Sequence, residues 1–165
     1  MHMVLNHNLK RLKSTIFLLI SALLLIVYLN KKSNADIKPN DKFSPQEVVE
    51  IQLTSLQNNS INNLGIYQCW LFAHPDNKKY TGPLDRFTSM IESKPYDVLL
   101  NSFHFKTKLI FQNKNDAKVE VLLDSKNKYK YKILWSLSRS NISNECRNCW
   151  MTIGVSQPYN LGPII

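Results

Sequence analysis

The sequence predicts an α+β fold, on three observations. A capped amphipathic helix opens the folded region at Ser44, apolar spacing stays helical as far as Ile91, and after Asn101 the period drops to two. Helices first and strands afterwards imply helices packed on one face of a curved antiparallel sheet of about four strands, since each helix and sheet must bury its apolar side against another layer. At 165 residues with 44% hydrophobic content, the chain holds one globular domain with its own core and a short appendage.

The appendage comes first. Residues 1–33 contain Lys10, Arg11 and Lys13, an apolar stretch from Ile16 to Leu29 with Ser21 inside it, then Lys31 and Lys32. No polar face interrupts the run, so a buried core helix is disfavoured. Fourteen residues fall short of the roughly 20 that a bilayer core requires. Two membrane readings stand. One is an anchor across residues 14–30, with lysines snorkelling to the headgroups. The other is a secretory signal cleaved near Ala35 after Ser33-Asn34. Either reading keeps the N-terminus in the cytoplasm and puts the domain on the far side of the membrane. Five of the nine net positive charges lie in residues 1–40, where a membrane accounts for them.

Residues 34–42 read as a polar linker, 43–158 as the domain and 159–165 as a C-terminal tail. "SPQEVVEIQLTSLQ" places Ser44 as N-cap, Pro45 at the first helical position and Glu47 three residues after the cap, which makes a capping box. Val48, Val49, Leu53 and Leu56 then form the apolar stripe. A second helix is expected from Ile61 to Phe72, a polar turn over "HPDNKK", a third helix from Leu84 to Ile91 after Gly82-Pro83, and a short turn at Tyr96 to Leu100. The strands are "SFHFKTKLIFQ", "AKVEVLLDS", "KYKYKILWSLSR" and "CWMTIGVSQ", separated by short polar turns that imply a meander. Their alternating lysines, Lys106, Lys108, Lys118, Lys126, Lys128, Lys130 and Lys132, mark a solvated sheet face. A basic surface interleaved with aromatics also suits single-stranded nucleic acid, but no nucleic-acid module motif accompanies it, so no nucleic acid is expected.

Several residues carry candidate chemistry. His74 and Asp76 in the turn are the raw material of acid–base catalysis, yet no nucleophile or second base accompanies them. Capping of a helix end, with Asn77 at an unusual backbone angle, is the favoured role. Arg86 is a candidate for an acidic ligand or for pairing with Asp85, Asp76 or Asp124. Trp70, Tyr96 and Trp135 are candidates to line an apolar cavity, against the plainer role of core residues. Cys146 and Cys149 have the CxxC spacing, but the pair lies between a turn and a strand, without the helix N-terminus that lowers a redox thiol. Zinc needs two further ligands, and only Cys69 and scattered histidines remain. Structural thiols or a disulfide joining two of the three cysteines are expected, with no metal and no cofactor.

"SPQEVVEIQLTSLQ", "FAHPDNKKYTGPLDRFTSMI", Tyr96 with Leu99-Leu100 and the closing "CWMTIGV" resemble the family known as domain of unknown function 4864. The resemblance runs from Ser44 to Val155 and rests on Pro75, Asn77, Lys78, Thr81, Gly82, Pro83, Cys149 and Trp150. His74 departs from it, standing where the family pattern has Ser. The element order is also similar to the cone-shaped, cystatin-like fold of the nuclear transport factor two and SnoaL group. That likeness implies a pocket between helices and concave sheet, and a possible homodimer. It implies no activity, because the fold serves isomerases, dehydratases, hydrolases and pure binding or scaffold proteins alike. The expectation is therefore a membrane-anchored or exported domain that binds a small apolar ligand or acts as a scaffold. The alternative is a SnoaL-like enzyme using polar residues inside the cone.

Overall fold

The structure is a computed structural model that describes residues 36–100, 102–140 and 146–164, together with residue 16 and residues 19–21. The chain divides into two units, Met1–Asp36 and Ile37–Ile165. In the first, Ile16, Leu19 and Ile20 are helical and exposed. The rest of the expected membrane segment, and the cleavage point near Ala35, lie outside the described residues. Among the described residues, no helix is long and apolar enough to cross a membrane.

The second unit is α+β, with helices on one face of a curved, open antiparallel sheet. Helix α1 (Pro45–Gln57) begins as its sequence dictates. The Glu47 N–H donates to Ser44 Oγ at 3.2 Å, and the Ser44 N–H donates to Glu47 Oε2 at 2.8 Å. These bonds hold the Glu47 carboxyl below its usual range, the Ser44 backbone bond being the larger cause. Val48, Val49, Leu53 and Leu56 are all fully buried, each contributing roughly 1.5–3 kcal/mol of apolar burial.

Helix α2 (Leu64–Leu71) starts later than the expected Ile61. Residues 60–63 instead form a turn closed by the Asn63 N–H donating to Ser60 O, with Asn63 left-handed at φ 56° and Ile61 in solvent. Asn59 Oδ1 then accepts the N–H groups of Gly65 and Ile66, and so satisfies donors that a helix start leaves open. Gly65 is a poor helix former inside this helix, and the packing gives its reason. A Cβ there would stand 2.0 Å from the Ser55 carbonyl oxygen, so glycine lets the backbones of α1 and α2 meet.

"PDNKKYT" is helix α3 (Pro75–Thr81), which corrects the expected turn. None of its residues is buried, so it carries no apolar stripe for periodicity to detect. Helix α4 (Leu84–Glu92) buries Phe87 and Ile91, and a 3-10 turn (Tyr96–Leu99) buries Val98 and Leu99.

The strands are β1 (Ser102–Gln112), β2 (Asp116–Ser125), β3 (Tyr129–Arg139), β4 (Trp150–Val155) and β5 (Tyr159–Pro163). The order is β1-β2-β3-β4, and β5 pairs with the other half of the same β3 edge. The residues expected as a tail thus supply a fifth strand. Ser156 keeps the chain beside β3 between the two pieces. Its N–H donates to Leu134 O, and its Oγ accepts the Leu134 N–H at 2.9 Å. Register shifts in β1 and β3 accompany the curvature, as bulges do. Ala117, Val119, Val121 and Leu123 of β2, with Ile133, Trp135 and Leu137 of β3, give the sheet its buried face. Of the lysines expected in solvent, only Lys130 is half-buried, beside Asp124 at 3.7 Å. The linker is tied to the domain as well, since Ile37 exchanges two hydrogen bonds with the Gln68 side chain.

Gly65→Ala is expected to lower the unfolding free energy in urea by about 1–3 kcal/mol through overpacking. Gly154→Ala, where a Cβ meets nothing within 4 Å, is expected to change it by less than about 0.5 kcal/mol.

Candidate functional site

A polar residue on an apolar stripe founds the site. Gln52 lies on α1 between Val49 and Leu56 and is 1% exposed. Its Oε1 accepts the Trp135 indole N–H of β3 at 3.2 Å and the Thr152 hydroxyl of β4 at 2.7 Å, while its Nε2 donates to the Cys69 carbonyl of α2 at 3.0 Å. An indole N–H only donates, so the amide orientation is determined by its partners. One side chain joins two helices to two strands.

Thr152 extends the same junction. Its N–H donates to Phe72 O and its carbonyl accepts the His74 N–H, each at 2.8 Å, so residues 72–74 run beside β4 through an Ala73–Thr152 parallel bridge. Asn77 Nδ2 reaches back to the same Thr152 carbonyl at 3.2 Å. His74 Nδ1 accepts the Asp76 N–H at 3.2 Å and caps α3.

These contacts frame a cavity of about 170 Å³ between the helices and the concave face of the sheet. Its buried wall comprises Gln52, Leu56, Cys69, Ala73, Phe87, Ile91, Leu99, Trp135 and Thr152. The half-buried Asn77, Thr81, Met90, Tyr96, Gly154 and Val155 complete the lining. Among the described residues, no Asp, Glu, His, Lys or Arg belongs to it. Thr81 Oγ donates to Asn77 O at 2.9 Å and Tyr96 Oη to Val155 O at 3.3 Å. Desolvation raises the Tyr96 phenol and pushes the buried Cys69 thiol up to about 12, so both stay protonated near neutral pH.

Of the residues singled out from the sequence, Tyr96 and Trp135 line the cavity, as do Asn77 and Thr81 of the family motif and Cys69, whereas His74, Asp76, Arg86 and Trp70 do not. His74 is 8% exposed and outside the lining. Asp76 is half in solvent, 3.6 Å from His74 Nδ1 and 2.7 Å from Lys79 Nζ, and the Lys79 hydrogen bond is the main cause that lowers its carboxyl. The pair therefore caps a helix end and does not meet the cavity. Asn77 has ordinary helical backbone, contrary to the unusual angle expected of it; left-handed backbone falls at Asn63, Lys128 and Asn148. Arg86 is exposed on α4, and Asp76 and Asp124 have other partners. Arg86 is not among the residues of the lining.

Trp70 does structural work. Its ring packs tilted against Phe87, with centroids 5.1 Å apart, and lies under Lys78 Nζ at 5.6 Å. A Cβ on Gly82 would stand 2.5 Å from Lys78 O and 2.9 Å from the Trp70 ring, so only glycine closes α3 here. Pro75 opens α3 and Pro83 precedes α4. Cys146 and Cys149 are joined as a disulfide, Cys69 is the free thiol, and Trp150 lies under the Arg139 guanidinium at 4.4 Å.

Gln52, Thr152, Asn77 and Thr81 were missed as parts of one site. The signal for Gln52 was available, since an amide one turn from Val48 and Leu56 on an apolar stripe must be buried and therefore bonded. The convergence of the other three depends on tertiary structure. Compared with family models, curated proteins and solved structures, the chain matches none of them.

Gln52→Leu strands an indole N–H, a hydroxyl and a carbonyl together. It is expected to cost about 3 kcal/mol in denaturant unfolding. Without reductant, iodoacetamide is expected to modify one cysteine of the unfolded chain and none of the native chain at pH 8, read by mass spectrometry. The raised Cys69 pKa contributes stability that is full below pH 9.0 and lost as pH rises towards about 12, when the unfolded thiol ionises and the folded one does not. The unfolding midpoint should fall across that window, and less so in Cys69→Ala.

Proposed function

We propose that the domain is a non-catalytic binding protein of the cone-shaped, nuclear transport factor two and SnoaL-like kind, belonging with the domain of unknown function 4864 family. Its ligand site is the cavity between the helices and the concave sheet. The observation that carries this reading is a cavity wall in which no described residue brings a carboxylate, imidazole, ammonium or guanidinium. General acid–base chemistry needs a titratable group within hydrogen-bond reach of the reacting atom. The two titratable groups in the wall, Cys69 and Tyr96, are both shifted towards their neutral forms. The SnoaL-like enzyme reading calls for polar residues inside the cone to act as acid and base, whereas His74 and Asp76 serve a helix cap.

The apolar run in residues 16–29 and its basic flanks support a domain tethered to a membrane or exported across it. Fractionation followed by N-terminal sequencing distinguishes the two: a membrane-bound intact chain supports the anchor, and a soluble chain beginning at Asp36 supports the signal.

Native mass spectrometry of the purified chain, followed by organic extraction, tests the binding function. A stoichiometric small organic molecule is expected in the wild type. Ala73→Leu, which adds volume at the cavity wall, is expected to reduce its occupancy at least about tenfold. An empty wild-type protein that also takes up no small apolar compound would remove the cavity as a functional site.

A further inference from the structure

We infer that the cavity selects a neutral, one-ring or two-ring apolar molecule that carries a hydrogen-bond donor. The inference rests on the binding function proposed above and names the ligand class for that site.

Size limits the ligand first. About 170 Å³ is close to the roughly 150 Å³ of an engineered apolar cavity that takes up benzene, and well under the 300–1,000 Å³ of pockets for drug-sized ligands. Charge limits it next, because an ion in a wall without counter-charges goes unpaired.

The hydrogen-bond census then gives polarity. Every hydroxyl proton in the wall is already committed to the protein: Thr81 to Asn77 O, Tyr96 to Val155 O, and Thr152 to Gln52 Oε1. The Gln52 amide donates to the Cys69 carbonyl and also lies in hydrogen-bond contact with the Cys69 thiol. Among the described residues, Thr81 Oγ, Tyr96 Oη and Asn77 Oδ1 accept from no protein donor. Turning the Asn77 amide over would set its oxygen against the Thr152 carbonyl, so Oδ1 stays free. Among the described residues, the second Asn77 amide proton and the weak Cys69 S–H are donors without a protein acceptor in the wall. All three acceptors lie on half-buried residues, while Leu56, Phe87 and Leu99 make the buried wall apolar. A ligand's ring goes against the apolar wall and its N–H or O–H meets an acceptor.

Calorimetry on the purified full chain tests this with indole and benzofuran, which match in shape and differ in the donor, and with benzoate as the charged probe. Indole is expected to bind about fivefold tighter than benzofuran, the worth of one net hydrogen bond, and benzoate at least tenfold more weakly than either. Tyr96→Phe and Thr81→Val are each made singly. At least one is expected to bring the indole preference below twofold while benzofuran affinity holds, which also shows that the variant is folded. Equal or tighter binding of benzofuran or benzoate by the wild type would overturn the donor and charge assignment and leave the cavity as a binding site. A preference unchanged in both variants would overturn the assignment of Thr81 Oγ and Tyr96 Oη as the acceptors. No binding of any probe would overturn the binding function itself.

Discussion

The fold turns on the Gln52 amide. Its oxygen takes two protons from the sheet and its nitrogen gives one to the neighbouring helix, so α1, α2, β3 and β4 are located against one another by a single side chain. Apolar packing around it, from Val49 and Leu53 to Val121 and Ile133, supplies the driving force but little direction. Buried hydrogen bonds supply direction, because each partner left unmade is costly. The amide is satisfied by its neighbours and still stands in the cavity wall, so one residue serves both the core and the pocket.

Thr152 converts that junction into a route for the chain. By accepting from His74 and Asn77 and donating to Phe72, its backbone holds the passage from α2 to α3 against the edge of β4. The stretch that resembles a family signature gains a physical content from this. Pro75 opens a helix that His74 caps, Asn77 ties it back to the sheet, and Gly82 lets Trp70 close its end. His74 in a place where Ser is expected is compatible with that geometry, because ring Nδ1 accepts the same N–H that a serine oxygen takes at an N-cap.

Polarity in the cavity is thus a by-product of structure already satisfied. Each hydroxyl proton is spent within the protein, leaving lone pairs at the wall and no proton carrier with a pKa near neutrality. A wall of this kind suits the binding function proposed above. The CxxC pair follows the same pattern, closed as a disulfide away from the cavity wall.

The sequence by itself determined the α+β class, the capping box at Ser44, the stripe of α1, helix α4 and four strands to within one or two residues, because those features are local: a cap, a period of 3.6, a period of 2. The reasons for Gly65 and Gln52 lie outside local spacing, in the Ser55 carbonyl oxygen and in an indole 83 residues beyond the amide. Only the tertiary structure decided that α3 is a helix with nothing to bury, that residues 159–163 return to β3, that Arg86 faces solvent, and that Asn77, Thr81, Tyr96 and Trp135 share one wall. Those outcomes depend on hydrogen bonds and contacts between residues distant along the chain, and no window of local spacing contains both partners.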